Sequence, residues 1–366
     1  MTAPSARLLV PILTLGLLTA ACSSSTKTAT TPGTTPGTNA PTATTNVTLA
    51  SATLNGSGST FQKAFDQDQI QAFQAKHSGV TINYAGGGSG KGQQDLADQV
   101  VDFAGSDSAP VKDPTKDKGG PLLYFPTVVA PITVSFKLSG VTDLTFTADT
   151  IAKIFSRQIK TWDDAAIKAD NPSATLPSTA ITVVHRSDGS GTTNNFTTYL
   201  KAAAASSWSL GSGSTVPWPT DTQAGNGSTG VAQAVNATDG AIGYIDLSDA
   251  KAAGLSFAKV KNSSGKVVAP TLDAASAALA GVTVNADLTY NPLNSSGPDA
   301  YPITSPTWVL VYKTQTDKAK GAALKAFLVF LLTDGQTNAT ASDYAPLTKD
   351  LASKALAQVD QIVVPA

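Results

Sequence analysis

From Val47 onward, short apolar runs alternate with segments whose apolar residues recur at helical spacing. "TLNGSGSTFQKAFDQDQIQAFQAKH" (53–77) predicts a strand, a Gly-Ser turn and a helix. On that helix Phe61, Ala64, Phe65 and Phe73 form a stripe, Ile70 flanks it, and Ser59 or Thr60 serves as N-cap. "VTINYAG" (80–86) predicts a strand, and "GGSGKG" (87–92) leads into an amphipathic segment carrying Leu96 and Val100. "VDFAGSDSAP" (101–110) reads as a short strand ending in a loop. "DTIAKIFSRQIKTWDDAAI" (149–167) reads as helical, and "ITVVHRSDGSGTTNNFTTYL" (181–200) as strand, turn and helix with Phe196 and Leu200 on one face. "DGAIGYIDLSDA" (239–250) predicts a strand and a helix start, and "DKAKGAALKAFLVFLLTDG" (317–335) a strongly apolar helix that needs burial. This repetition predicts an α/β fold with a parallel sheet. Two β-rich runs marked by proline, 122–136 and 301–313, have the character of crossings between domains.

The first residues follow another pattern. Arg7 precedes "LLVPILTLGLL", an apolar run of about eleven residues, the length of a signal-peptide core and too short to span a bilayer. Residues 1–21 are therefore expected to be a signal peptide. The run ends in "LTAAC", where Cys22, the only cysteine, follows two alanines. This resembles a lipoprotein signal, with Thr19 at the place where Leu is commonest; the alternative is a plain secretory signal in which Cys22 is incidental. Lipidation of Cys22 would fix the chain to the outer face of the cell membrane. The Thr/Pro/Gly-rich stretch that follows has one charge, Lys27, and no large apolar residue before Val47. Residues 22–47 are expected to be a flexible tether.

With 366 residues the chain is long enough for two domains with real cores. A net charge of −1 gives no nucleic-acid footprint. Three strand-to-helix turns combine Ser/Thr with Gly, at 56–61, 86–92 and 187–192. A helix start offers free N–H groups and the positive end of the helix dipole, so each is a small anion receptor, located where ligands bind in open α/β sheets. "AGGGSGKG" fails as a nucleotide loop, because Ala85 stands at the first Gly position and Gly92 where Ser/Thr should be. "DGSGT" fails as a nucleophile elbow because of Asp188. Alternation turns His185 away from Arg186, and His77 belongs near a helix C-terminus. Asp163 and Asp164 read as a helix start, and the tryptophans as packing residues. No metal-ligand spacing and no cofactor motif is present, so neither is expected.

Taken in order, "GSGSTF" (56–61), "YAGGGSGKG" (84–92), "VDFAGSDSAP" (101–110), "FPTVV" (125–129), "KTWDDAAI" (160–167), "VVHRSDGSGTTNNF" (183–196), "GAIGY" (240–244) and "YPITS" (301–305) resemble the extracytoplasmic phosphate-binding proteins of high-affinity ABC phosphate-uptake systems. The resemblance covers about residues 50–350. It implies a periplasmic-binding-protein type II fold: two α/β domains, 48–130 plus 302–366 and 131–301, joined by a two-crossing hinge. It implies a non-enzymatic, monomeric receptor that closes on inorganic phosphate and hands it to a membrane-embedded ABC permease. Carried over by motif, the ligands are Thr60 and Phe61, Ser89, Asp107 as the one acceptor, Arg186, and Ser190, Gly191 and Thr192. Asp188 is implied to pair with Arg186 behind the site, and Lys91 has no implied role. A secreted phosphatase or a surface adhesin using the same cradle are the alternatives. Independently of the resemblance, a carboxylate among anion ligands favours an anion that brings a proton, as phosphate does and sulfate does not.

Overall fold

The structure, a computed structural model, describes residues 49–109 and 118–366. The expected signal peptide, Cys22 and the 22–47 tether lie outside the described residues. Among the described residues no helix is long and apolar enough to cross a membrane.

The first half of the chain runs β1 (Ala52–Gly58), α1 (Lys63–Lys76), β2 (Val80–Gly86), α2 (Ser89–Ala97), β3 (Phe103–Ser106) and β4 (Leu122–Lys137). It continues through β5 (Thr145–Phe146), α3 (Ala148–Phe155), α4 (Ala165–Asp170), β6 (Thr182–Arg186), α5 (Gly191–Ala203), β7 (Gln223–Gly225), α6 (Gly227–Ala237) and β8 (Ala241–Asp246). Then come α7 (Leu247–Ala252), β9 (Ser256–Phe257), β10 (Lys259–Lys261), β11 (Val267–Val268) and α8 (Leu272–Ala280). The chain closes with β12 (Thr304–Tyr312), α9 (Lys318–Leu332), α10 (Asp334–Asn338), β13 (Ala345–Pro346) and α11 (Lys349–Gln358).

The main sheet has the order β2-β1-β3-β12-β4-β8-β6-β7, with β13 and β9 also paired to β4. Its flanks are parallel, as expected: β1 with β2 and β3, and β6 with β7 and β8. Its middle is not, since β12 and β4 run antiparallel to each other and to their outer neighbours β3 and β8. The expectation of a parallel sheet is corrected to a mixed one. Alternation of apolar residues reports a strand but not its direction.

The long run at 122–136 is one continuous strand serving both halves of the sheet. Its first part pairs with β12 as far as Pro131, and its last part, from Ile132, pairs with β8. Pro lacks a ladder donor. Pro131 stands where β4 changes neighbours, and Pro126 stands opposite Trp308, beside a register shift in β12.

Phe61, Phe65 and Phe73 are fully buried, and Phe73 meets Phe327 and Phe330 of α9 edge-on at 5.3 and 5.6 Å. The apolar α9 buries Leu324, Phe327, Leu328 and Leu331, as its sequence demands. Three local expectations change. α1 starts at Lys63 rather than at the Ser59–Phe61 turn. Leu96 is buried, but Val100 lies past the end of α2 and is 63% exposed. The 149–167 helix is two short helices. Between them Arg157 takes a left-handed φ of 62° and donates to Ile181 O, and the buried Trp162 donates its indole N–H to Gly240 O at 3.0 Å. Those tertiary bonds outcompete the helical pattern.

Candidate functional site

The three Ser/Thr-Gly turns and the end of β3 converge on Asp107, which is 1% exposed. Asp107 Oδ1 accepts from Ser59 Oγ at 2.8 Å and from Ser89 Oγ at 2.5 Å, and Oδ2 accepts from Thr192 Oγ1 at 2.8 Å. Ser59 and Ser89 come from the β1 and β2 ends of one half of the sheet, and Thr192 from the first turn of α5 in the other. Asn195 Nδ2 also reaches across, to Asp107 O and to Ser305 Oγ.

Ser59 is fixed as a donor toward Asp107. Its oxygen accepts from Phe61 N–H at 3.1 Å and Gln62 N–H at 3.4 Å, which occupies its lone pairs and leaves its single proton for the carboxylate. The same turn explains the late start of α1, because Ser59 satisfies amides ahead of the first helical residue. The Phe61 N–H, a predicted ligand donor, is thus bonded to Ser59.

Arg186 ends β6 and is 4% exposed. Its Nε donates to Asp188 Oδ1 at 2.8 Å and its Nη2 to Asp188 Oδ2. Nη1 points to Thr192 Oγ1 at 3.4 Å. Burial by itself would lower the Arg186 guanidinium, but hydrogen bonding to Asp188 and the charges of Asp188 and Asp107 raise it further. Burial likewise works against Asp188, yet the hydrogen bond and charge of Arg186 hold its carboxyl below the usual range. Both stay charged, with Asp188 also accepting from Gly227 N–H at 3.0 Å. Tyr244 of β8 holds the backbone here: its hydroxyl accepts from Arg186 N–H at 3.0 Å and bonds Thr193 Oγ1 at 2.7 Å.

Ser190 is the N-cap of α5, accepting from Thr193 N–H at 3.0 Å. Its hydroxyl proton remains available to donate. The N–H groups of Gly191 and Thr192 begin the helix and have no intrahelical carbonyl. Gly191 is required by close approach, since a methyl there would come within 2.4 Å of Asp107 Oδ1 and 2.5 Å of Ser89 Oγ. Thr60 bonds Ser228 at the start of α6, through Ser228 N–H at 3.1 Å and a hydroxyl contact of 3.2 Å.

The predicted residues are therefore drawn together. Ser89, Asp107, Arg186, Asp188 and Thr192 form one hydrogen-bonded network, Gly191 packs on it, and Thr60, Phe61 and Ser190 sit on its turns. The residues that the sequence reading left out of the site are Ser59, Asn195, Gly227 and Ser228. Ser59 carries a signal as a cap, and Ser228 lies in "GNGST" (225–229), a Ser/Thr-Gly turn before a helix like the other three. Lys91 pairs with Asp95 instead, with 61% of its side chain exposed. His185 stacks on Trp218 at 5.0 Å, hydrogen-bonds Arg186 O, and is pushed down by burial. A groove of 600 Å³ along β2, lined by Gln71, Gln74, Asn83 and Tyr84 among others, shares no residue with the network around Asp107 and Arg186.

The arrangement combines hydroxyl donors, a buried guanidinium, helix N-termini and one buried carboxylate. Residues 26–335 match the PBP superfamily domain. The chain is 37% identical over 335 residues to the phosphate-binding protein PstS of Methanocaldococcus jannaschii, covering 83% of this chain and 85% of that protein. It belongs to the PstS family. Among solved structures, a high-affinity periplasmic phosphate-binding protein (PfluDING) bound with phosphate at pH 8.5 superposes with a TM-score of 0.70 at 25% identity, covering 84% of this chain and 94% of that one. A protein from Clostridium perfringens, assigned as a phosphate ABC transporter substrate-binding protein and solved with bound phosphate, gives a TM-score of 0.59 at 22% identity over 81% of this chain and all of its own. The periplasmic-binding-protein fold implied by the motifs is the fold of this PstS-family chain.

Proposed function

We propose that this chain is an extracytoplasmic receptor that binds inorganic phosphate between the two halves of its sheet and delivers it to an ABC permease, without chemical turnover. The observation that carries this reading is Asp107: a buried carboxylate held by hydroxyls from both halves and flanked by the Arg186–Asp188 pair. The PstS and PfluDING likenesses support the same ligand class.

The chemistry follows from proton counting. A buried anion needs donors on its oxygens, and Thr60, Arg186, Ser190, the Ser89 N–H at the start of α2 and the α5 N-terminus supply them, while the Ser89 hydroxyl is held by Asp107. Phosphate near neutral pH carries a proton that Asp107 can accept. Sulfate carries none, and leaving a buried charge unpaired costs on the order of 1–3 kcal/mol or more. Phe61 joins the ligand set only if its N–H leaves Ser59 Oγ. Asp188 keeps Arg186 in plane and stays behind it.

In this reading, residues 48–130 with 302–366 and residues 131–301 act as the two closing domains. Cys22 carries the lipid that tethers a monomeric receptor by its 22–47 segment. Calorimetry of ligand-stripped protein with phosphate and with sulfate tests the reading. Tight phosphate binding and weak sulfate binding are expected; equal affinities would overturn it. Mass spectrometry of the native N-terminus tests the anchor.

A further inference from the structure

We propose that Ser228, at the start of α6, is a positioning residue that turns the Thr60 hydroxyl into an obligate donor to the bound anion. The inference rests on the phosphate-receptor reading and adds a residue from the opposite half of the sheet to the control of Thr60.

Thr60 Oγ1 has one proton and two lone pairs. The Ser228 N–H, which can only donate, takes one lone pair at 3.1 Å. The Ser228 hydroxyl lies 3.2 Å away, and when it donates it takes the second. Thr60 then has no lone pair to offer, and its proton must go to a third group. An anion held at the Asp107 network is that acceptor.

Packing fixes the same orientation. A methyl group added at Gly86 would come within 3.1 Å of Thr60 Cγ2, and one at Gly227 within 3.2 Å. The Thr60 methyl is thus clasped between the end of β2 and the start of α6. Gly227 adopts a left-handed φ of 65°, which a side chain would resist. Asn226, the N-cap of α6, makes no side-chain cap bond. The first amides of α6 are instead spent on Asp188 and Thr60, through Gly227 N–H and Ser228 N–H.

Behind Ser228 stands a second group. Asp246 is fully buried; its Oδ1 accepts from Ser248 Oγ and Asp249 N–H, and its Oδ2 has no hydrogen-bond partner. The Ser228 hydroxyl is among the dipoles that act on it. Burial, and then the charge of Asp249, push this carboxyl up to about 8. A carboxyl raised in this way pulls less strongly, as an anion, on the Ser228 proton.

The test is a double-mutant cycle read by phosphate calorimetry on the mature chain. Ser228→Ala should weaken phosphate binding about fivefold, the worth of one net hydrogen bond. The same substitution in a Thr60→Val background should change affinity less than twofold on the same scale. A merely structural role would weaken both backgrounds alike, and that outcome overturns the proposal. Thermal melts of the ligand-free variants establish that each is folded, and alanine in a first helical turn is well tolerated. Failure of the unsubstituted protein to bind phosphate would overturn the receptor reading itself. Phosphate binding by that protein with no effect of Ser228→Ala would overturn the orienting role alone.

Discussion

Thr192 Oγ1 donates to Asp107 Oδ2 at 2.8 Å, joining residues 85 apart in the chain and on opposite halves of the sheet. On its other side Thr192 faces Arg186 Nη1 at 3.4 Å. A guanidinium can only donate and a carboxylate can only accept, so the hydroxyl between them has one polarity. The bond sets a buried carboxylate within reach of a buried guanidinium.

Replacing Asp107 by Asn should narrow the gap between phosphate and sulfate by about tenfold or more, since an unpaired buried charge costs about 1–3 kcal/mol. Paired calorimetric titrations of parent and variant check this. An unchanged gap would remove Asp107 from the discrimination.

Asp188→Ala leaves the Arg186 guanidinium buried without its bidentate partner. Stability should fall by about 3–5 kcal/mol, the cost of breaking a buried pair from one side. Chemical denaturation of ligand-free protein measures it. Phosphate affinity should fall as well, because the guanidinium plane is no longer held.

Gly191→Ala places a methyl 2.4 Å from Asp107 Oδ1 and 2.5 Å from Ser89 Oγ. The halves must separate to admit it. Phosphate affinity should drop by about tenfold or more, with a smaller loss of thermal stability than a buried cavity causes, near 1–3 kcal/mol for overpacking.

Stability should also depend on pH through two buried carboxyls away from the ligand set. Burial pushes Asp66 up to about 7 and Asp246 up to about 8. A raised acid binds its proton more tightly in the folded state than in the unfolded chain. Its stabilising contribution is complete below the ordinary value near 3.8 and is lost as pH rises through 7 to 8. Denaturation midpoints should decline between pH 4 and 8. Asp66→Asn should flatten that decline; a parallel curve would count against Asp66 as a source.

Much of the site was legible because its chemistry is concentrated in small residues at strand ends. "GSGSTF", "GGGSGKG" and "DGSGT" mark three turns by composition, and Arg186, Asp107 and Asp188 stand out as charges among them. What escaped depends on contacts that only folding creates. Ser228 sits in "GNGST", a turn of the same composition, but its partner Thr60 lies 168 residues away and only folding brings the two together. Ser59 is expected as an N-cap; it instead closes the turn ahead of α1, whose N-cap is Gln62, and its bond to Asp107 is set by the pairing of β1 with β3. In the fold, the strands were visible and their directions were not. The single helix expected at 149–167 divides in two because the burial of Trp162 and the reach of Arg157 are tertiary.

The undivided run of β4 through both halves has a mechanical meaning. At this crossing, opening of the two halves would be absorbed as flexure within the strand, not as slack in a loop. Proline removes a ladder donor at 126 and 131, and the strand exchanges neighbours just after the second. Neither proline has an N–H that bending could break out of the ladder. The amides of residues 132–134, just past the exchange of neighbours, are where deuterium uptake should respond to phosphate, while those paired deeper in either half stay silent.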